Sequence, residues 1–209
     1  INSAWAALIA LIGGGLILMA VILSVHESVD SVPAMPMWVA LVVNVFVMAA
    51  CSAGIVYYAR SAPVKTIVRF VLTLVLVSIG TMALINIVKV PWGRARMRLI
   101  VLTGNESYFS PWWKAGTALK NRLVAEGISK DEFRSFPSGH TACASCAMLL
   151  ALVPTLSRRK RRRTGALLLA GCVWTAVVAV TRIWMGAHFL TDVTMAWLIT
   201  LGMCVLGVY

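Results

Sequence analysis

Six stretches of this chain carry no charged residue: Ala4 to Val25, Met37 to Ala59, Phe70 to Val88, Thr141 to Leu156, Thr164 to Thr181 and Val193 to Tyr209. A helix that crosses the hydrocarbon layer of a bilayer needs about 20 such residues, and the shorter runs can extend by a turn into their flanks. Composition agrees, since 60% of the 209 residues are hydrophobic and 12% are charged, against roughly 45–50% and about 25% in soluble domains. A soluble globule, a disordered chain and a disulfide scaffold are excluded. A transmembrane β-barrel would alternate apolar and polar residues, whereas these runs are apolar all round. The expected fold is all-α: a polytopic membrane protein with six transmembrane helices in a bundle, one membrane domain over residues 1–209. The first run is too long for a cleaved signal peptide and reads as a retained helix.

Charge asymmetry sets the expected orientation. The segment Arg60 to Arg69 holds Arg60, Lys65 and Arg69, and the loop after the fourth run reads Ser157-Arg158-Arg159-Lys160-Arg161-Arg162-Arg163. Basic loops stay in the cytoplasm, so both segments and both termini are expected there. All seven acids, Glu27, Asp30, Glu106, Glu126, Asp131, Glu132 and Asp192, then fall outside. The formal charge of +12 is accounted for by topology and anionic-lipid affinity, with no nucleic-acid partner. The five cysteines, Cys51, Cys143, Cys146, Cys172 and Cys204, lie within the runs and read as small packing residues, neither disulfides nor zinc ligands.

The connection from Lys89 to Phe136 is too long to be a mere link and is a candidate functional loop on the outer side. Within it Pro111 to Phe133 has a helical pattern, with Trp112, Leu119 and Leu123 near one face opposite Lys114, Lys120 and Arg122. A short interfacial helix on the outer membrane surface is expected, its tryptophans serving as anchors.

Three polar clusters fall at the outer helix ends: Lys89-Val90-Pro91-Trp92-Gly93-Arg94-Ala95-Arg96-Met97-Arg98, then Phe136-Pro137-Ser138-Gly139-His140, then Thr181-Arg182 through His188 to Asp192. Ionisable groups at a membrane boundary are costly and mark functional sites. Lys89, Arg96 and Arg182 supply cationic donors, and Ser138 and Gly139 stand where free backbone N–H groups open a helix, a combination suited to an anion. His140 and His188 accompany it. Asp192 follows His188 at i+4, so on a shared helical face its carboxylate would reach Nδ1 and orient Nε2. Arg94 and Arg98 read equally as assistants or as solvated, headgroup-facing residues.

These clusters resemble the three-part signature of the type 2 phosphatidic acid phosphatase family, K-x6-R-P, P-S-G-H and S-R-x5-H-x3-D, whose fold core is shared with vanadium haloperoxidases. Lys89 and Arg96, Pro137 to His140, and Arg182, His188 and Asp192 match in order and spacing, while Met97 replaces a proline and Thr181 a serine. The resemblance extends to the six-span plan with an external loop before the second motif.

The resemblance implies phosphoryl transfer through a phosphohistidine: His188 as nucleophile, Asp192 as its partner, His140 as general acid, and Lys89, Arg96, Ser138, Gly139 and Arg182 holding the phosphate. It implies no metal and no cofactor, and it fixes no oligomeric state. The expected function is a lipid phosphate or diphosphate phosphatase facing the exterior or periplasm of a bacterial inner membrane. Its candidate substrates are undecaprenyl diphosphate, phosphatidylglycerol phosphate and phosphatidic acid. A phosphotransferase using the same residues, or a non-catalytic protein that binds or transports a lipid headgroup, are the alternatives.

Overall fold

A computed structural model describes residues 36–59, 62–156 and 163–208, and all regular structure among them is helical. The first expected span and the run Arg158 to Arg162 lie outside the described residues. The chain divides into two compact units, residues 1–60 and 61–209. In the first, α1 covers Met37–Ala59, the boundaries expected of the second apolar run.

The second unit opens with α2, Val64–Trp92, which begins six residues before the expected Phe70. Lys65 and Arg69 are good helix formers and continue the helix past the apolar run. Pro63 precedes it in an extended conformation, and Gly93 ends it at φ 66, a left-handed turn that glycine adopts without strain. After the loop come α5, Gly139–Ser145, and a 3-10 helix, Cys146–Leu156, then α6, Thr164–Trp184, and α7, Leu190–Val208. Among the described residues three segments, Val64–Thr103, Thr164–Trp184 and Leu190–Gly207, are long and apolar enough to cross a membrane by length and composition.

The fourth expected span is a shorter apolar helix, Gly139–Pro154. A 3-10 helix rises about 2.0 Å per residue against about 1.5 Å in an α-helix, so residues 139–156 together reach about 32 Å.

Packing follows the helical period. On α2 the buried residues Phe70, Val77, Thr81 and Ile85 form one stripe, and Ile85 meets Ala142 of α5 and Ala196 of α7. Gly171 lets α6 approach the 3-10 segment: a Cβ there would lie 2.8 Å from the Cα of Met148. Away from these contacts, Val68, Leu72, Leu76 and Ile79 of α2 and Val173 and Val180 of α6 are exposed, an arrangement suited to lipid rather than water.

The long loop differs from its expected form. Instead of one helix over 111–133 it holds α3, Met97–Thr103, a 3-10 turn, Glu106–Tyr108, α4, Thr117–Ala125, and a 3-10 turn, Lys130–Phe133. A Cβ on Gly116 would lie 2.6 Å from the carbonyl oxygen of Gly93, so this backbone contact fixes the residue and delays the helix to Thr117. Trp112 therefore falls outside α4. Leu123 is buried with Ala95, Leu99 and Phe133, and Leu119 packs on that cluster. The apolar face assigned to the membrane surface is thus taken up by the loop's own core.

Gly171→Val should lower the thermal unfolding midpoint in detergent, with a cost of about 1–3 kcal/mol, because its side chain meets backbone. Gly202→Ala, whose Cβ meets nothing within 4 Å, should leave the midpoint unchanged or raise it.

Candidate active site

The last carbonyls of α2 are capped by the loop. Trp92 O accepts from Gly116 N at 2.7 Å, Pro91 O from the Thr117 hydroxyl at 2.8 Å and Val90 O from Lys120 Nζ at 2.9 Å. Orphan carbonyls at a helix end need such partners, and here they fix the helix end that carries Lys89.

Beyond that end three loops meet on Asp192, in the first turn of α7 and fully buried. Its Oδ1 accepts from Nη1 of Arg94, and its Oδ2 accepts from the Ser135 hydroxyl at 2.5 Å and from Phe189 N at 2.9 Å. Its carbonyl accepts from Ser138 N at 3.1 Å. Arg94 is only 3% exposed. It also donates to the Thr191 hydroxyl at 2.8 Å and to Ser110 O at 2.9 Å, and its guanidinium carbon lies 4.3 Å from the centre of the Phe189 ring. Ser135 N donates to Arg94 O at 3.1 Å, which closes the network.

His188, 2% exposed, points its Nδ1 at the carbonyl oxygen of Ser135, 2.6 Å away. A carbonyl only accepts, so Nδ1 carries the proton and Nε2 keeps a lone pair. The expected direct pairing with Asp192 is not the hydrogen bond found, since Nδ1 lies 3.9 Å from Oδ2. The reason is local: α7 begins at Leu190, so residue 188 precedes the helix and the i, i+4 face does not extend to it. Burial, with the positive charge of Lys89 adding to it, pushes the His188 imidazolium down to about 3, and the Ser135 carbonyl offsets this only in part.

Arg96 and His140 also act electrostatically on His188. The ammonium of Lys89 rests on Gly139, where a Cβ would lie 3.1 Å from Nζ. Ser138 is the N-cap of α5: its hydroxyl oxygen accepts from Thr141 N at 3.3 Å and from the Thr141 hydroxyl at 2.9 Å. Arg96 is held through its backbone, N to Glu132 O at 2.7 Å, while its buried Nε has no hydrogen-bond partner among the described residues. Arg182 is half-buried in the last turn of α6, its carbonyl accepting from Ala187 N at 3.1 Å. Arg98 forms a partly exposed ion pair with Glu132, and its backbone N–H donates to Gly186 O at 2.8 Å.

Two participants go beyond the sequence reading. Arg94 had a solvated role open to it and is buried instead. Ser135, immediately before Phe136-Pro137-Ser138, carried no signal, because it holds His188 through a carbonyl that every residue possesses. Among the described residues no three His, Cys, Asp or Glu side chains are grouped as metal ligands would be.

The low His188 value has a measurable consequence. Unfolded histidine binds a proton below about 6.5, whereas folded His188 stays neutral to about 3. The unfolded state therefore binds more protons across that window, and stability falls as pH drops from about 6.5 towards about 3. Thermal unfolding in detergent between pH 7 and pH 4 should show a steeper loss for the parent than for His188→Asn, and equal slopes would contradict the burial argument.

A family model described as the PAP2 superfamily matches residues 67–209. No curated protein and no solved structure matches the chain.

Proposed function

Because the chain belongs to the PAP2 superfamily, whose members are phosphatases, we propose that it removes phosphate from a membrane lipid phosphate or diphosphate through a phosphohistidine at His188. The observation that carries the reading is the Ser135 carbonyl on Nδ1. It leaves Nε2 unprotonated in a pocket whose cations suit a phosphate.

In the first step Nε2 attacks phosphorus, an N–P bond forms, and the bond to the lipid oxygen breaks. His140 protonates that oxygen, a contribution of about 10²–10⁴-fold for a poor leaving group. In the second step His140 takes a proton from water, the hydroxide attacks phosphorus, and the N–P bond breaks to release phosphate and restore His188. Lys89, Arg96 and Arg182 neutralise the charge on the equatorial oxygens. The Ser138 hydroxyl, already accepting twice from Thr141, has its own proton to donate. Gly139 keeps Lys89 close, since any side chain there would crowd the ammonium.

A lipid substrate fits the exposed apolar flanks of α2, α6 and α7. The site stands at the Lys89 end of α2, and Lys65 is at the other end, about 36 Å away along the helix. That exceeds the roughly 30 Å hydrocarbon layer. With Lys65 and Arg69 on the cytoplasmic side, as basic residues favour, the site faces outward. Undecaprenyl diphosphate, phosphatidylglycerol phosphate and phosphatidic acid are the candidate substrates, and the loop from Met97 to Phe136 is where selection among them is expected.

Purified protein should release inorganic phosphate from at least one of these three lipids in the presence of EDTA, and vanadate should inhibit as a transition-state mimic. His188→Ala should reduce release by at least about 10³-fold. Label passing to a second lipid without free phosphate would point to the transferase, and no turnover by folded protein would overturn the reading.

A further inference from the structure

We infer that Ser135 is a positioning residue for the His188 imidazole, and that Asp192 acts on that imidazole through Ser135 rather than by touching it. For its kinetic consequences this inference rests on the phosphatase reading above. Its structural content does not.

The lone pairs of the carboxylate carry the argument. Each carboxylate oxygen has about two acceptor sites. Both on Oδ2 are engaged, by the Ser135 hydroxyl at 2.5 Å and by Phe189 N at 2.9 Å, while Oδ1 is held by Arg94. The imidazole Nδ1 lies 3.9 Å from Oδ2 and 2.6 Å from the Ser135 carbonyl. Ser135 thus faces both groups, with its hydroxyl on Asp192, its carbonyl on His188 and its N–H on Arg94 O. The residue is fully buried, so water does not substitute for any of these bonds. Asp192 fixes the Ser135 hydroxyl, that bond fixes the rotation of the residue, and the rotation aims the carbonyl.

The two arrangements differ chemically. A carboxylate on Nδ1 would place a negative charge against the ring and favour imidazolium. A carbonyl selects the same tautomer with no net charge, which favours the neutral ring that a nucleophile requires. The motif aspartate then holds the scaffold, and a serine outside the motif holds the nucleophile.

Solid-state NMR on the full chain in lipid tests the contact without reference to turnover. The chain has three histidines, so in protein labelled with ¹⁵N-histidine the His188 resonances are those lost in His188→Asn. Dephasing of its Nδ1 by backbone ¹³C-carbonyl serine should exceed dephasing by side-chain ¹³C-carboxyl aspartate. Stronger dephasing by aspartate would overturn the inference.

Kinetics supply the second arm. Ser135→Ala and Asp192→Asn should each lower kcat by about 10²-fold, the scale of a 1 Å misplacement, with KM little changed. The double variant should be no slower than the slower single variant, because both remove the same tether. Multiplying effects, or a Ser135→Ala protein with full kcat, would overturn the inference even if the chain is a phosphatase. Absence of all turnover would count against the phosphatase reading and leave the NMR arm to decide this one.

Discussion

A buried carboxylate sits where three loops of this protein meet, and the arrangement of the site depends on how that charge is satisfied. Removing an ion from water costs several kcal/mol unless a counter-ion and further donors replace the solvent. Arg94 supplies the counter-ion for Asp192, and Ser135 and Phe189 complete its coordination. Each donor comes from a different stretch: Arg94 from the turn after α2, Ser135 from the segment leading into α5, Phe189 from the entry to α7. Satisfying the charge draws all three together. The Phe189 and Phe109 rings beside the guanidinium exclude water and strengthen the attraction.

Around this pair the distribution of charge is lopsided. Lys89 and Arg96 both act on His188, while the buried carboxylate of Asp192 is already matched by Arg94. The excess positive charge disfavours a protonated imidazole and favours an anion. Burial is the larger cause of the neutral imidazole, and this field adds to it.

Much of this was legible in the sequence because it rests on local pattern. The helices α1, α2, α6 and α7 cover uncharged runs of about the length a bilayer-crossing helix needs, although α2 extends beyond its run at both ends. The cations and histidines were legible through spacing and helix-end placement. What was not legible depends on contacts between distant residues. Gly116 meets Gly93 across the loop, which breaks the helix expected over 111–133, and nothing in the local pattern reports it. Leu119 and Leu123 share a face as expected, but whether that face meets lipid or protein is a tertiary question. The i, i+4 relation of His188 and Asp192 presumes a helix that begins two residues too late. Ser135 acts through its backbone, on which composition is silent.

In the proposed reaction phosphorus forms a covalent bond with His188 Nε2. Rapid quenching of the parent with lipid labelled in its reacting phosphate tests it most directly, followed by separation of the protein from lipid. Label is expected on the protein, labile to acid, stable to alkali and located on His188, absent from His188→Ala and accumulating in a variant that slows water attack. Turnover without any protein-bound label, or label that persists in His188→Ala, would contradict it.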